Sequence, residues 1–102
     1  MEKRANIRIP DKEIADFCRR NHIIKLSLFG SVLREDFGPD SDLDILVEFE
    51  PEARVGLIRL AGLELELGHI LGRKVDLNTP GFINKHYRDQ VLAEAEVQYD
   101  AA

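Results

Sequence analysis

The chain has 102 residues, 44% of them apolar and 32% charged, with a formal net charge of −5 and a pI near 5.1. A length of this order leaves room for one core and predicts a single domain over residues 1–102. The acidic balance argues against a basic groove and against direct nucleic-acid binding. Cys18 is the single cysteine, which excludes an internal disulfide, and no zinc-type spacing is present. No signal peptide and no apolar run near ~18 residues is found, so a cytoplasmic protein without a membrane segment is expected.

Residues 1–10 are polar and mixed and read as a lead-in. Pro10-Asp11 then opens a helix, with Asp11 as its N-cap. Ile14, Phe17 and Cys18 fall on one face, which places Cys18 in the core. Arg19 and Arg20 complement the helix dipole in the last turn, and Asn21 ends it. The apolar run over residues 23–29 predicts a first strand that stops at Gly30. A short helical turn follows at 31–34, and then a loop, EDFGPDS, rich in turn residues.

In residues 43–50, Leu43, Ile45, Val47 and Phe49 alternate with Asp44, Leu46 and Glu48. This is the period of a half-buried strand, and Pro51 stops it. From 55 to 71 the spacing becomes helical. Arg59, Gly62, Glu66 and His69 share a narrow polar face, and apolar residues occupy most of the remaining circumference. That arc is wider than one sheet face can cover. The excess, near Ile58 and Leu65, predicts an intermolecular contact, with Glu64 beside it or reaching to solvent. Gly72 ends the helix, and residues 73–77 form a third strand. Thr79-Pro80 opens a last helix that runs to about Ala95, with Ile83, Tyr87 and Val91 on one face. Residues 97–99 add an edge strand. The order α-β-α-β-α-β-α predicts an α/β fold, a small mixed sheet with helices on one face.

The chemistry concentrates between Gly30 and Asp44. On a strand, Asp42 and Asp44 point the same way, roughly 6.6–7 Å apart along the chain. Left alone, two such carboxylates repel, so the pair asks for a cation and suits a pair of metal ions. Oxygen ligands on strands fit Mg²⁺ or Mn²⁺, held jointly with a substrate's phosphates. Gly30-Ser31, a small turn opening a helical segment, offers backbone N–H groups and a hydroxyl to a phosphate. Positioning and charge neutralisation are most of what phosphoryl transfer requires. Asp76, in the third strand, is the remaining acid singled out.

Rival motifs fail on spacing. Asp40, Asp42 and Asp44 mimic the start of a calcium loop, but Ile45 stands where its glycine belongs and Pro51 where its glutamate belongs. No P-loop and no GxSxG elbow occurs. His22, His69 and His86 lack metal-ligand spacing, and Glu48 and Lys74 read as a surface pair.

The pattern GS-x10-D-x-D, in the wording GSVLREDFGPDSDLDILVEF with LGRKVDL after it, resembles the minimal nucleotidyltransferases. These are the small MNT proteins of the superfamily that includes DNA polymerase beta. The resemblance implies a polymerase beta-like fold with a partly antiparallel sheet whose open face carries the acids. It implies that Asp42 and Asp44 hold two Mg²⁺ ions, that Asp76 assists the ion near the acceptor or acts as a base, and that Gly30 and Ser31 cradle the β- and γ-phosphates. Arg34 becomes a phosphate or loop contact, or a salt-bridge partner of Glu35, Asp36 or Asp42. ATP, or another nucleoside triphosphate, is the implied donor, and a hydroxyl accepts the AMP.

The family setting implied is that of an antitoxin whose partner, a HEPN-domain ribonuclease toxin, is adenylylated on a tyrosine. The length supports a protein acceptor, because it leaves no room for a second domain that grips a small one. Two alternatives stay open: an antitoxin that only masks its toxin, and an enzyme acting on a small molecule such as an aminoglycoside. A second copy of the chain is the next candidate for the surface on the 55–71 helix.

Overall fold

The computed structural model describes residues 7–34 and 37–101, with the side chain of Phe82 outside that description. Helix α1, Asp11–Arg20, buries Ile14, Phe17 and Cys18. Pro10 takes the N-cap position and offers no side-chain cap, so Asp11 is the first helical residue and not the cap. Its charge, with that of Glu13, lies in the first turn, where it meets the positive end of the dipole. At the other end Asn21 donates from its side-chain amide to the Phe17 carbonyl at 2.9 Å and is buried there.

Strand β1, Ile23–Phe29, leads into a 3-10 turn over Gly30–Leu33. Strand β2 is Leu43–Phe49, helix α2 is Leu57–Leu71, and strand β3 is Val75–Asn78. The expected single helix after Thr79 is broken in two. Pro80–Phe82 makes one 3-10 turn, and helix α3 starts only at Lys85 and ends at Glu94. Its cap is Asn84, whose side chain accepts from the His86 N–H at 2.9 Å. Thr79-Pro80 carries the sequence signature of a helix start, but the residue in capping geometry lies five positions later. Strand β4, Glu96–Asp100, completes the chain.

The sheet order is β3-β2-β1-β4. β1 pairs antiparallel with β2 and β4, and β2 pairs parallel with β3, so the sheet is mixed. One face, made by Leu26, Leu28, Leu43, Ile45, Val47, Val75 and Leu77, closes the core together with Ile14 and Phe17 of α1 and Leu63 and Leu67 of α2. The alternation predicted for residues 43–50 is this division of faces, and the opposite face carries Asp44, Leu46 and Glu48. Glu48 lies directly across from Lys25 on β1. Lys74, beside the start of β2 through its carbonyl bond to the Leu43 N–H, is at the other end of that strand. The expected pairing of Glu48 with Lys74 therefore does not form.

Helix α2 shows the excess apolar surface its sequence predicts. Leu63 and Leu67 are buried, whereas Ile58 is 92% exposed and Leu65 68%. Glu64 neither joins that surface nor reaches to solvent alone: its carboxylate accepts from the Leu77 backbone N–H at 2.8 Å. No helix among the described residues is long and apolar enough to cross a membrane.

Candidate active site

The end of β1 and the start of β2 meet at one corner of the sheet. Phe29 stands across from Asp44, and Asp44 stands beside Asp76 on the parallel ladder. Residues that face one another in a ladder share a sheet face, so the Asp44 and Asp76 carboxylates rise together on neighbouring strands. Asp42, two residues before Asp44, points the same way just ahead of the strand. The Leu43 N–H bonds the Lys74 carbonyl at 2.9 Å, which fastens the Asp-Leu-Asp segment to the run leading into Asp76.

The turn after β1 is fitted to this corner. Gly30 has φ of +75°, and a Cβ placed there would overlap Asp44 Oδ2 and lie 3.2 Å from its Cγ. Any larger residue would face both a left-handed backbone and an occupied space. The glycine is thus required by the close approach of Asp44. The backbone N–H of Ser31 donates to the Asp44 carboxylate, and its hydroxyl donates to the Asp42 carbonyl at 3.5 Å, so this one residue is tied to both acids of the Asp-Leu-Asp segment.

Asp44 is half-buried, and its carboxyl is pushed above the ordinary aspartate range. Desolvation is the main cause, followed by the charges of Asp76 and then Asp42. The Ser31 N–H and the Arg34 guanidinium oppose the shift. Three acids with one another's charges for company form a site that a bound cation would relieve. Among the described residues no three acid, histidine or cysteine side chains close around an ion by themselves. The carboxylate oxygens of Asp42, Asp44 and Asp76 are the hard donors that a divalent cation such as Mg²⁺ takes, commonly one or two of them, with phosphate oxygens and water filling its shell.

All six residues singled out in the sequence, Gly30, Ser31, Arg34, Asp42, Asp44 and Asp76, fall at this corner. Glu35 and Asp36, suggested as partners of Arg34, lie outside the described residues. Two contributors escape sequence reasoning. Arg73 donates to the carbonyls of Gly38 at 2.6 Å and Ser41 at 3.1 Å, and its guanidinium lies 4.2 Å over the Phe37 ring. It thereby holds the loop that delivers Asp42. Glu64 takes up the N–H of Leu77, next to Asp76. Both contacts join segments distant in sequence, and neither residue sits in a local pattern that would mark it.

The Nucleotidyltransferase domain family model matches residues 11–97. The chain belongs to this family. A relative from Methanocaldococcus jannaschii, provisionally named a protein adenylyltransferase, is 35% identical over 91 residues, which cover 88% of this chain and 95% of that protein. A solved structure provisionally described as a minimal nucleotidyltransferase superposes with a TM-score of 0.69 at 36% identity, over 83% of this nucleotidyltransferase and 85% of the other chain. Another similar fold comes from a tri-AMPylated HEPN toxin of Shewanella oneidensis in complex with MNT antitoxin. Its TM-score is 0.65 at 23% identity, over 88% of this chain and 69% of that one. The resemblance to minimal nucleotidyltransferases, and the mixed α/β fold it implies, are therefore borne out.

Proposed function

We propose that this nucleotidyltransferase moves AMP from ATP onto a hydroxyl of a protein, a tyrosine of a HEPN-type toxin, and acts as its antitoxin. The observation that carries this reading is the Asp44 corner. Three carboxylates share one sheet edge with a glycine turn that no side chain could occupy.

Asp42, Asp44 and Asp76 would hold divalent cations, Mg²⁺ or Mn²⁺, which when bound neutralise the triphosphate and make the acceptor hydroxyl easier to deprotonate. The Ser31 hydroxyl and the Gly30 turn receive the β- and γ-phosphates, and Arg34 adds a positive charge on the same side. Asp76, exposed at the sheet edge, accepts the proton from the acceptor oxygen. That oxygen bonds to the α-phosphorus as the bond to the β-phosphate bridge breaks, and pyrophosphate leaves. The protein acceptor is supported by the adenylyltransferase name of the Methanocaldococcus relative and by the AMPylated toxin in the Shewanella complex. The exposed stripe of Leu57, Ile58 and Leu65 on α2 supplies the apolar surface that holds the toxin.

The test is incubation with Mg²⁺, ATP labelled at the α-phosphate, and the HEPN-type toxin. Label should appear on a toxin tyrosine and depend on Asp42 and Asp44. A stable complex with no label transferred would leave a masking antitoxin in place of an enzyme.

A further inference from the structure

The Gly30 turn has a second side. Gly30 faces the Asp44 carboxylate on one flank and helps line a cavity of about 370 Å³ on the other. Its far wall is the side of α3 that carries Tyr87, Gln90 and Glu94, and its near wall is Phe29 and Arg34. The volume is in the range of small-ligand clefts, roughly 300–1,000 Å³. Among the cavities found in the described residues, this one includes the phosphate turn. A larger one of about 490 Å³ is lined by His22, Glu50 and Arg59. Glu50 lies six positions beyond Asp44, about 20 Å away at the rise of an extended strand.

We infer that this cleft seats the base of the nucleotide, stacked on Tyr87 and read by Gln90. The inference rests on the nucleotide reading of the Asp44 corner and adds to it the part of the ligand that the acids do not touch. A triphosphate held at Gly30 and Ser31 has a polyanionic end and a nucleoside end. The cleft suits the second. Beyond Arg34 on the phosphate side, it is lined by two aromatic residues, Phe29 and Tyr87, by Val91 and by a carboxylate, Glu94, a set that suits a base better than a phosphate. Tyr87 is 61% exposed, so its ring is available for stacking and contributes little to the core.

Gln90 donates from its amide nitrogen to Glu94 at 3.4 Å. With the nitrogen so engaged, the carbonyl oxygen is the acceptor this side chain adds to a cleft that Glu94 also lines. A rim of acceptors favours a base that presents an exocyclic amino group, as adenine does and uracil does not.

Binding measured by calorimetry in the presence of Mg²⁺ tests this, with a non-hydrolysable ATP analogue and inorganic tripolyphosphate as probes. Tyr87→Ala should weaken the ATP analogue about tenfold or more, the order of one lost base–aromatic stack, and leave tripolyphosphate unchanged. Tyr87→Phe should bind like wild type. The wild-type protein should prefer the ATP analogue to its UTP counterpart, and Gln90→Ala should narrow that preference. If both probes bind and Tyr87→Ala weakens neither, or both equally, the base lies elsewhere and the inference falls alone. If the wild type takes neither probe, the nucleotide reading falls and this inference with it.

Discussion

Asp44 is the residue on which the corner turns, because its neighbours both need it and make it uncomfortable. Its carboxyl sits above the ordinary aspartate value of 3.8 through burial and the charges of Asp76 and Asp42. A raised value means that the folded protein binds the proton more tightly than the unfolded chain. The stability this carboxyl contributes is therefore full below about pH 3.8 and is lost as pH rises through the raised value. Without metal, Asp44→Asn should raise the melting temperature at pH 7, and the gain should shrink on acidification toward pH 4. A thermal-melt series over that range would show it, and a gain independent of pH would mean charge is not the cause. The Asn side chain can still accept the Ser31 N–H, so the fold should survive. Asp42→Asn combined with Asp44→Asn should abolish AMP transfer with the fold intact by circular dichroism. Gly30→Val should cost more than Ser31→Ala, because it strains φ and displaces Asp44. On the proposed reading Ser31→Ala should remove one hydrogen bond to a charged ligand, about 1.5–3 kcal/mol in ATP use. Steady-state kinetics on both variants would order them.

At the scale of elements, Arg73 links the loop before β2 to the run that starts β3. Its planar fork meets two carbonyls while its face covers Phe37, and lysine can reproduce neither geometry. Arg73→Lys should therefore lose most of what Arg73→Ala loses, about 2 kcal/mol of unfolding free energy by denaturant titration, and both should weaken nucleotide transfer by loosening Asp42. A lysine variant as stable as wild type would reduce the residue to a mere positive charge. The α2 stripe makes the opposite forecast. Ile58 is 92% exposed, so Ile58→Asp should change the isolated protein's stability by less than about 0.5 kcal/mol while weakening the proposed complex with a HEPN-type toxin. These two cases mark what the sequence could show. The strands, the Gly-Ser turn, the paired acids and the surplus apolar arc of α2 are local patterns, and they are found where periodicity puts them. Arg73, Glu64 and the Asn84 cap were not legible. The first two act only across the fold, and the Thr79-Pro80 signal hid the third by announcing a helix five residues too soon.

The whole molecule carries −5, and two divalent cations would bring it to −5 + 4, or −1. A site that concentrates repulsion at one corner of a 102-residue chain should make its stability respond strongly to what binds there. Ligand held by the folded state alone stabilises it by RT ln(1 + [L]/Kd), about 1.4 kcal/mol at ten times Kd. For a domain of this size each kilocalorie shifts the melting temperature by roughly 4–8 °C. Mg²⁺ with ATP should then raise it by on the order of 5–10 °C. Mg²⁺ alone should do less, because the ion commonly takes only one or two carboxylates and the phosphates complete its shell. ATP with a chelator should do least, since the triphosphate then meets Asp42, Asp44 and Asp76 with no cation between. The Asp42→Asn, Asp44→Asn double variant should start from a higher metal-free melting temperature and respond little to any of the three. Differential scanning fluorimetry in the four conditions would check this. A response to ATP that ignores Mg²⁺, or one that persists in the double variant, would place the nucleotide away from the acidic corner.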